Sequence, residues 1–271
     1  MNFTKIRSIN YKRSLSRHSK DFDIDLQSFF RTPYSYLKSR LFIELSSILV
    51  FLFQKTPITP NSVSIANSML AFLGTILLGF GEDELKFLGI VIFFSIGLLD
   101  WTDGLLAVVN KKHSKLGHVL DIWTGLVNYN LFVIALSFYL FNKTLDIVYL
   151  YLILVYISLK FFDFKNFTYL ITMYEYYKNG KKTNHKQNKN KKIKLSPILK
   201  VIKFLFDNIL NDRSSWIDII LLILIFEITQ NKIFVSDLIF FLICFKAFLI
   251  FAGGIYVCFF KGFVKSVSDK L

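Results

Sequence analysis

Cysteine is nearly absent from this chain of 271 residues, which has only Cys244 and Cys258. Both cysteines lie in the last apolar segment, and their spacing matches neither a disulfide framework nor a metal site. We interpret them as small buried hydrophobic residues. Residues 1–40 lack the apolar core of a secretory signal peptide, so no such signal is expected. These absences leave the long apolar segments as the main feature of the sequence.

Charged residues are scarce in several segments of roughly 20 residues, a length that crosses the hydrocarbon core of a bilayer. Hydrophobic residues make up 54% of the chain, whereas soluble domains usually have roughly 45–50%. The sequence therefore predicts an all-α, polytopic membrane protein with about six transmembrane helices and an N-terminal interfacial helix. The predicted crossings are 62–80, 87–109, 117–141, 146–165, 216–230 and 235–260.

Basic residues give the chain a formal net charge of +14. In a soluble protein this excess would suggest nucleic acid as a partner, but here the charge is confined to the connections between apolar segments. That arrangement favours anionic lipid headgroups, and no nucleic acid is expected. Every second connection is basic, so the positive-inside rule predicts that both termini are cytoplasmic. The expected location is a bacterial cytoplasmic membrane or an equivalent, crossed several times.

The segments outside the crossings define the expected domain boundaries. Residues 41–54 are apolar but too short to span a bilayer, which indicates a helix lying in the interface. The segment 56–61 then breaks this helix and leads into the first crossing, because Pro60 cannot lie in a helix interior. Asn61 or Ser62 is the expected cap of the new helix. The predicted domains are a basic cytoplasmic segment at 1–40, the interfacial helix and turn at 41–61, the six-helix transmembrane domain at 62–260 with a basic cytoplasmic loop at about 174–213, and a cytoplasmic tail at 261–271.

Three aspartates, Asp100, Asp103 and Asp121, lie within the second and third predicted crossings. A charged side chain costs a few kcal/mol in such a position and is usually functional or paired. Helical periodicity assigns each aspartate to a face with small residues. These faces are Asp100, Asp103, Gly104 and Ala107 on one helix, and Gly117, Asp121, Gly125 and Asn128 on the next. The short connection makes the two helices antiparallel, which brings both faces together near the cytoplasmic end.

Carboxylates that converge in a medium of low dielectric constant repel one another unless a cation neutralises them. Mg²⁺ and Mn²⁺ prefer oxygen ligands of this kind, and a metal held there can bind and activate a nucleotide diphosphate. The alternative is that the helix ends reach the headgroups, with Asp100 and Asp103 solvated or paired to Lys111 and Lys112. The clustering of the aspartates predicts a divalent metal site.

The spacing of these residues resembles the motif D-x2-D-G-x2-A-R-x8-G-x3-D-x3-D of the CDP-alcohol phosphatidyltransferases. The matching positions are Asp100, Asp103, Gly104, Ala107, Gly117 and Asp121. Pro60 and Asn61 are similar to a Pro-Asn pair that precedes the first transmembrane helix of the family. The resemblance implies that the three aspartates bind Mg²⁺ or Mn²⁺. It also implies that Gly104, Ala107 and Gly117 line a nucleotide site.

The resemblance further implies a reaction. The hydroxyl of an acceptor alcohol attacks the phosphorus of a CDP-alcohol, CMP leaves, and the phosphoalcohol group is transferred in the synthesis of phospholipids or related membrane lipids. A homodimer is implied as well. Two positions depart from the motif, since Val108 replaces an arginine and Gly125 replaces the fourth aspartate, the proposed general base of the family. No residue is therefore assigned as the base, and His118, one helical turn before Asp121, is the candidate substitute.

Two other functions compete with the transferase. One is a non-catalytic family member that keeps the nucleotide and metal pocket for binding or assembly, which the glycine at position 125 favours. The other is a small transporter whose aspartates couple to cations. The sequence has no inverted repeat that would support a transporter. Retained CDP binding without CMP release would identify the first alternative, and cation flux without any effect of CDP would identify the second.

Overall fold

The computed structural model describes residues 1–22, 27, 29–30, 33–112, 114–161, 214–233 and 235–260. Within these ranges the chain is all-α, as predicted, and forms eight helices. They are α1 (Phe3–Phe22), α2 (Pro33–Phe53), α3 (Pro60–Phe80), α4 (Asp83–Val109), α5 (Lys115–Thr144), α6 (Val148–Phe161), α7 (Ser214–Gln230) and α8 (Ser236–Phe260). The predicted loop at 174–213 and the tail at 261–271 lie outside the described residues.

Each of the six predicted crossings coincides with one helix from α3 to α8. Among the described residues, four helices have the length and composition to cross a membrane, namely α3, α4, α5 and α8. Helix α6 is apolar but has only 14 residues, and α7 has 17. The polytopic membrane fold is thus confirmed, whereas the count of six crossings stays a prediction.

The side chains of α3 are distributed as expected for a helix in lipid. Most of its buried residues are small or polar, including Ser64, Asn67 and Thr75. The large side chains of Met69 and Phe72 are instead 70% and 59% exposed. A soluble helix has the opposite arrangement, because water penalises exposed apolar area. In a bilayer the apolar face meets the acyl chains, and the small residues let neighbouring helices approach closely.

The chain divides into two compact units. The first contains α1 to α5 and α7, and it holds every aspartate of the predicted site. In the second unit, α6 packs against α8. Tyr149 of α6 meets the rings of Phe240 and Phe241 there, each with its ring centroid 6.0 Å away. The candidate site is consequently a property of the first unit.

The start of α3 is fixed by a capping box. The Thr59 hydroxyl accepts a hydrogen bond from the Ser62 backbone amide at 3.1 Å, and the Ser62 hydroxyl accepts one from the Thr59 amide at 2.9 Å. Pro60 occupies the first helical position, where its missing N–H has no cost. The prediction that Asn61 or Ser62 caps this helix was therefore wrong, because Pro60 is already helical and the cap moves to Thr59.

Helices α3 and α4 pack side by side along their lengths. Gly89 makes this approach possible, since a Cβ atom at that position would lie 2.8 Å from the backbone nitrogen of Leu78. The turn between the two helices is short and includes Gly81, whose amide donates to the Leu77 carbonyl at 3.0 Å. The pairing brings the first turns of α3 beside the last turns of α4, which contain Asp100 and Asp103.

Residues 3–22 form a helix, although the sequence predicted only a basic segment there. Helix α1 packs on α2, and α2 packs on α4. The interfacial helix predicted from residue 41 begins earlier, at Pro33, because the chain between 33 and 40 continues the same helix. The N-terminal part of the chain therefore belongs to the folded first unit.

Candidate functional site

Asp103 is the most enclosed of the predicted metal ligands, with 5% of its surface exposed. The hydroxyl of Ser64 on α3 donates a hydrogen bond to Oδ2 of this carboxylate. Ser64 is itself 4% exposed and lies about one turn after the start of α3. The capping box and the packing of α3 on α4 thus fix the orientation of a buried carboxylate.

Asp121 lies on α5, where its side chain is partly exposed, and its charge interacts with that of Asp103. The two carboxylates are thus close enough for their charges to interact, and their binding of a shared metal stays a prediction. Asp100 lies one turn before Asp103 on α4 and is exposed. In the described part of the chain, no three His, Cys, Asp or Glu side chains are gathered as a set of metal ligands. The participation of Asp100 stays a prediction.

Two of the three residues predicted to line a nucleotide site are glycines whose Cβ positions lie close to neighbouring side chains. A Cβ atom at Gly104 would lie 3.1 Å from Nη2 of Arg13. A Cβ atom at Gly117 would lie 3.0 Å from Oγ of Ser114 and 3.1 Å from Oδ1 of Asn61. Both glycines thus face polar groups at a distance that leaves little room for a side chain.

Gly125 differs from both, because it is exposed and no heavy atom of the described residues lies within 4 Å of the position that its Cβ would take. A side chain at the position of the fourth aspartate of the motif would therefore meet open space among these residues. Asn128, about one turn later, is 5% exposed, and its Oδ1 has no hydrogen-bond partner among the residues that the structure describes. His118 is exposed at the start of α5. Neither residue has a contact that identifies it as a base.

The model of the family described as CDP-alcohol phosphatidyltransferase matches residues 57–226. This match covers more than half of the chain and includes the whole aspartate motif. The chain belongs to this family. Neither the curated proteins nor the solved structures gave a match.

Because members of the CDP-alcohol phosphatidyltransferase family use divalent metals, the oxygen atoms of this site can be compared with those that such metals prefer. The carboxylates of Asp103 and Asp121 and the hydroxyl of Ser64 are all hard oxygen groups. Such groups suit Mg²⁺ or Mn²⁺ and offer nothing that a soft metal would prefer. Two interacting carboxylates also need a neutralising cation in a poorly hydrated place. The chemistry of these residues fits the divalent metal that the family uses.

Helix α1 precedes the matched family region and was missed as a structural element by the sequence analysis. Ile6 is fully buried against Val50, Val63, Leu105 and Leu106. On the side of α2, Nε and Nη2 of Arg7 donate to the Glu44 carboxylate at 2.7 and 2.6 Å. The sequence pattern that could have predicted this helix is the helical spacing of Ile6, Ile9, Asn10 and Arg13, which face the protein in the structure.

The contact between α1 and α2 is charge-assisted. Glu44 also accepts a hydrogen bond from the Tyr11 hydroxyl at 2.6 Å. The hydrogen bond from Arg7 is the main reason that the pKa of Glu44 falls below its ordinary value of 4.5, and burial opposes the shift. Arg7 correspondingly has a raised pKa because of the same hydrogen bond. Helix α1 is therefore attached through apolar burial toward α4 and through an ion pair toward α2.

Proposed function

We propose that the protein transfers a phosphoalcohol group from a CDP-alcohol to the hydroxyl of an acceptor, with Mg²⁺ or Mn²⁺ and release of CMP. The observation that carries the proposal is a buried carboxylate, Asp103, that is oriented by Ser64 and interacts with Asp121 inside the family region. The pathway is phospholipid or related membrane-lipid synthesis, since the site belongs to a membrane protein.

In this proposal Asp103, Asp121 and Asp100 hold the metal, and Ser64 keeps the buried carboxylate in place. When bound, the metal supplies positive charge to the phosphoryl oxygens and to the departing CMP. Gly104, Ala107 and Gly117 line the nucleotide site, as the family resemblance implies. A P–O bond to the acceptor oxygen forms, the P–O bond to CMP breaks, and the hydroxyl proton leaves to a base or to water.

The site lacks an assigned general base. With Gly125 in place of the fourth aspartate, the proton has no assigned acceptor, and His118 is the substitute to test. General base catalysis is worth about 10²–10⁴-fold in rate. We therefore propose a transferase that works slowly.

The second candidate is a family member that binds the nucleotide without turning it over. The open space at Gly125 favours this function, because nothing in the described surroundings fills the place of the missing side chain. Such a protein would keep the pocket for binding or assembly. It differs from a slow transferase only in whether CMP is formed.

We also propose a topology and an assembly. Lysines and arginines concentrate in alternate connections, which supports cytoplasmic termini in a bacterial cytoplasmic membrane or its equivalent, and contact with anionic headgroups. The homodimer rests on the family resemblance. The donor is either CDP-diacylglycerol or a soluble CDP-alcohol. Assays that pair each donor with a panel of acceptors distinguish among these substrates.

The test is CMP release by the full chain in liposomes, with CDP-diacylglycerol or a soluble CDP-alcohol as donor, several acceptors, and Mn²⁺ or a chelator. Asp103→Asn should abolish release. Asp83→Asn is the matched control, since Asp83 lies at the other end of α4 in an exposed pair with Lys86 at 2.8 Å. Release that persists in the chelator or in Asp103→Asn would contradict the proposal. Metal-dependent CDP binding without release on any acceptor would select the binding function.

A further inference from the structure

Arg13 comes from a helix outside the family match and reaches the candidate nucleotide site. Its Nη2 and Nη1 atoms lie 3.1 and 3.5 Å from the Cβ position of Gly104. Its charge also interacts with Asp103. A guanidinium thus lies against the glycine that follows the buried carboxylate, and even the methyl group of an alanine at position 104 would require it to shift by a few tenths of an ångström.

The position of Arg13 is fixed by the way α1 is held. Asn10, which is 1% exposed, precedes it by one turn. The Asn10 amide donates to the Ile43 carbonyl at 3.0 Å and to the hydroxyls of Ser46 and Ser47 at 2.9 and 3.0 Å. Ile6, one turn earlier, is buried at 0% exposure. Arg13 continues this stripe, so its direction follows from packing along α1.

A cation is needed at this place for a chemical reason. The motif region lacks its arginine, because Val108 has no charge. A nucleotide diphosphate brings further negative charge to a site that already contains Asp103 and Asp121. A guanidinium presents two parallel N–H groups that can bind two phosphate oxygens at once. An ammonium group is a point charge and lacks this bidentate geometry.

We propose that Arg13 of α1 binds the diphosphate of the CDP-alcohol and supplies the guanidinium that position 108 lacks. The proposal rests on the proposed function, since it assigns a residue to the same nucleotide site. It makes α1 part of that site.

The test is CDP and CMP binding to the purified full chain in detergent with saturating Mn²⁺, measured by calorimetry. Arg13→Gln should weaken CDP binding by about 10- to 100-fold, as expected for the loss of a charge-assisted hydrogen-bonding group, and should change CMP binding much less. The CDP affinity of Arg13→Lys should lie between those of the wild type and Arg13→Gln. Lys12→Gln is the matched control, because Lys12 is the exposed neighbour on α1 and carries the same charge.

Rescue separates a binding role from a folding role. Arg13→Gln combined with Val108→Arg should recover most of the CDP affinity. Unchanged CDP binding in Arg13→Gln would overturn the inference and leave the proposed function intact. Equal losses for CDP and CMP, or an equal loss in Lys12→Gln, would also overturn it, since the effect would then be structural or a matter of net charge. A wild-type chain that binds neither nucleotide would overturn the proposed function and this inference with it.

Discussion

Gly125→Asp restores the carboxylate that the motif has lost and should increase the rate of CMP release. The new side chain meets no clash with the described part of the chain, because no heavy atom there lies within 4 Å of the Cβ position. Replacing glycine in a helix interior by aspartate also favours the helix by a few tenths of a kcal/mol. The added charge lies one turn after Asp121 and repels it, so the variant should bind divalent metal more tightly than the wild type.

The expected gain in rate follows from the work of a general base. A factor of about 10²–10⁴ corresponds to roughly 2.7–5.4 kcal/mol in the activation barrier. The assay is single-turnover CMP release in liposomes with Mn²⁺ at saturation, so that binding does not limit the rate. Gly125→Asn is the matched control, because the amide has nearly the same shape and cannot accept the proton as a base.

Two results would refute this reasoning. Equal acceleration by Gly125→Asn would mean that the side chain acts by filling space or by ordering α5. No acceleration by Gly125→Asp, in a protein that still binds CDP, would mean that position 125 does not face the attacking hydroxyl. A third comparison, His118→Gln in the wild-type background, shows whether the exposed histidine is the present substitute, since CMP release would then fall.

Three further predictions concern the elements that build the site. Ile6→Ala should destabilise the attachment of α1 by about 2–5 kcal/mol, since Ile6 has 0% exposure, and trypsin should then cleave α1 faster. The lowered pKa of Glu44 means that its contribution to the attachment of α1 is present above its ordinary value of 4.5 and is lost as the pH falls below it. Amide hydrogen exchange in α1, corrected for the intrinsic pH dependence of exchange, should therefore become faster in acid, and Glu44→Gln should remove that dependence. Gly89→Ala should lower the melting temperature, because its Cβ would lie 2.8 Å from a backbone nitrogen of α3, whereas Gly253→Ala, with nothing within 4 Å, should not.

The membrane helices could be predicted because each one satisfies its backbone hydrogen bonds internally and displays apolar side chains, which leaves a continuous apolar segment in the sequence. The aspartates could be predicted for the complementary reason, since a carboxylate in such a segment is costly. Asp103 fulfils that expectation by being 5% exposed and bonded to Ser64. The Ser64 contact itself depends on how α3 and α4 pack, which no spacing within one segment reveals.

Helix α1 could not be predicted in the same way. Its buried face mixes Ile6 with Asn10 and Arg13, and the two polar residues are acceptable there only because α2 and α4 supply their partners. A hydrophobicity pattern reflects the transfer of single side chains out of water and contains no information on the partners that make burial of a polar side chain acceptable. The cap at Thr59 was not predicted for a similar reason, because its position depends on where the chain turns before Pro60.

The two departures from the motif have different physical consequences. The charge missing at Val108 has a counterpart in Arg13, which lies against Gly104. The carboxylate missing at Gly125 leaves open space, and no set of three acidic, histidine or cysteine ligands is gathered among the described residues. Binding of the nucleotide and activation of the acceptor hydroxyl therefore need not be impaired together. Because diphosphate binding uses positive charge and deprotonation uses a base, we expect CDP affinity to be kept while CMP release is slow, so kcat falls with little change in Kd.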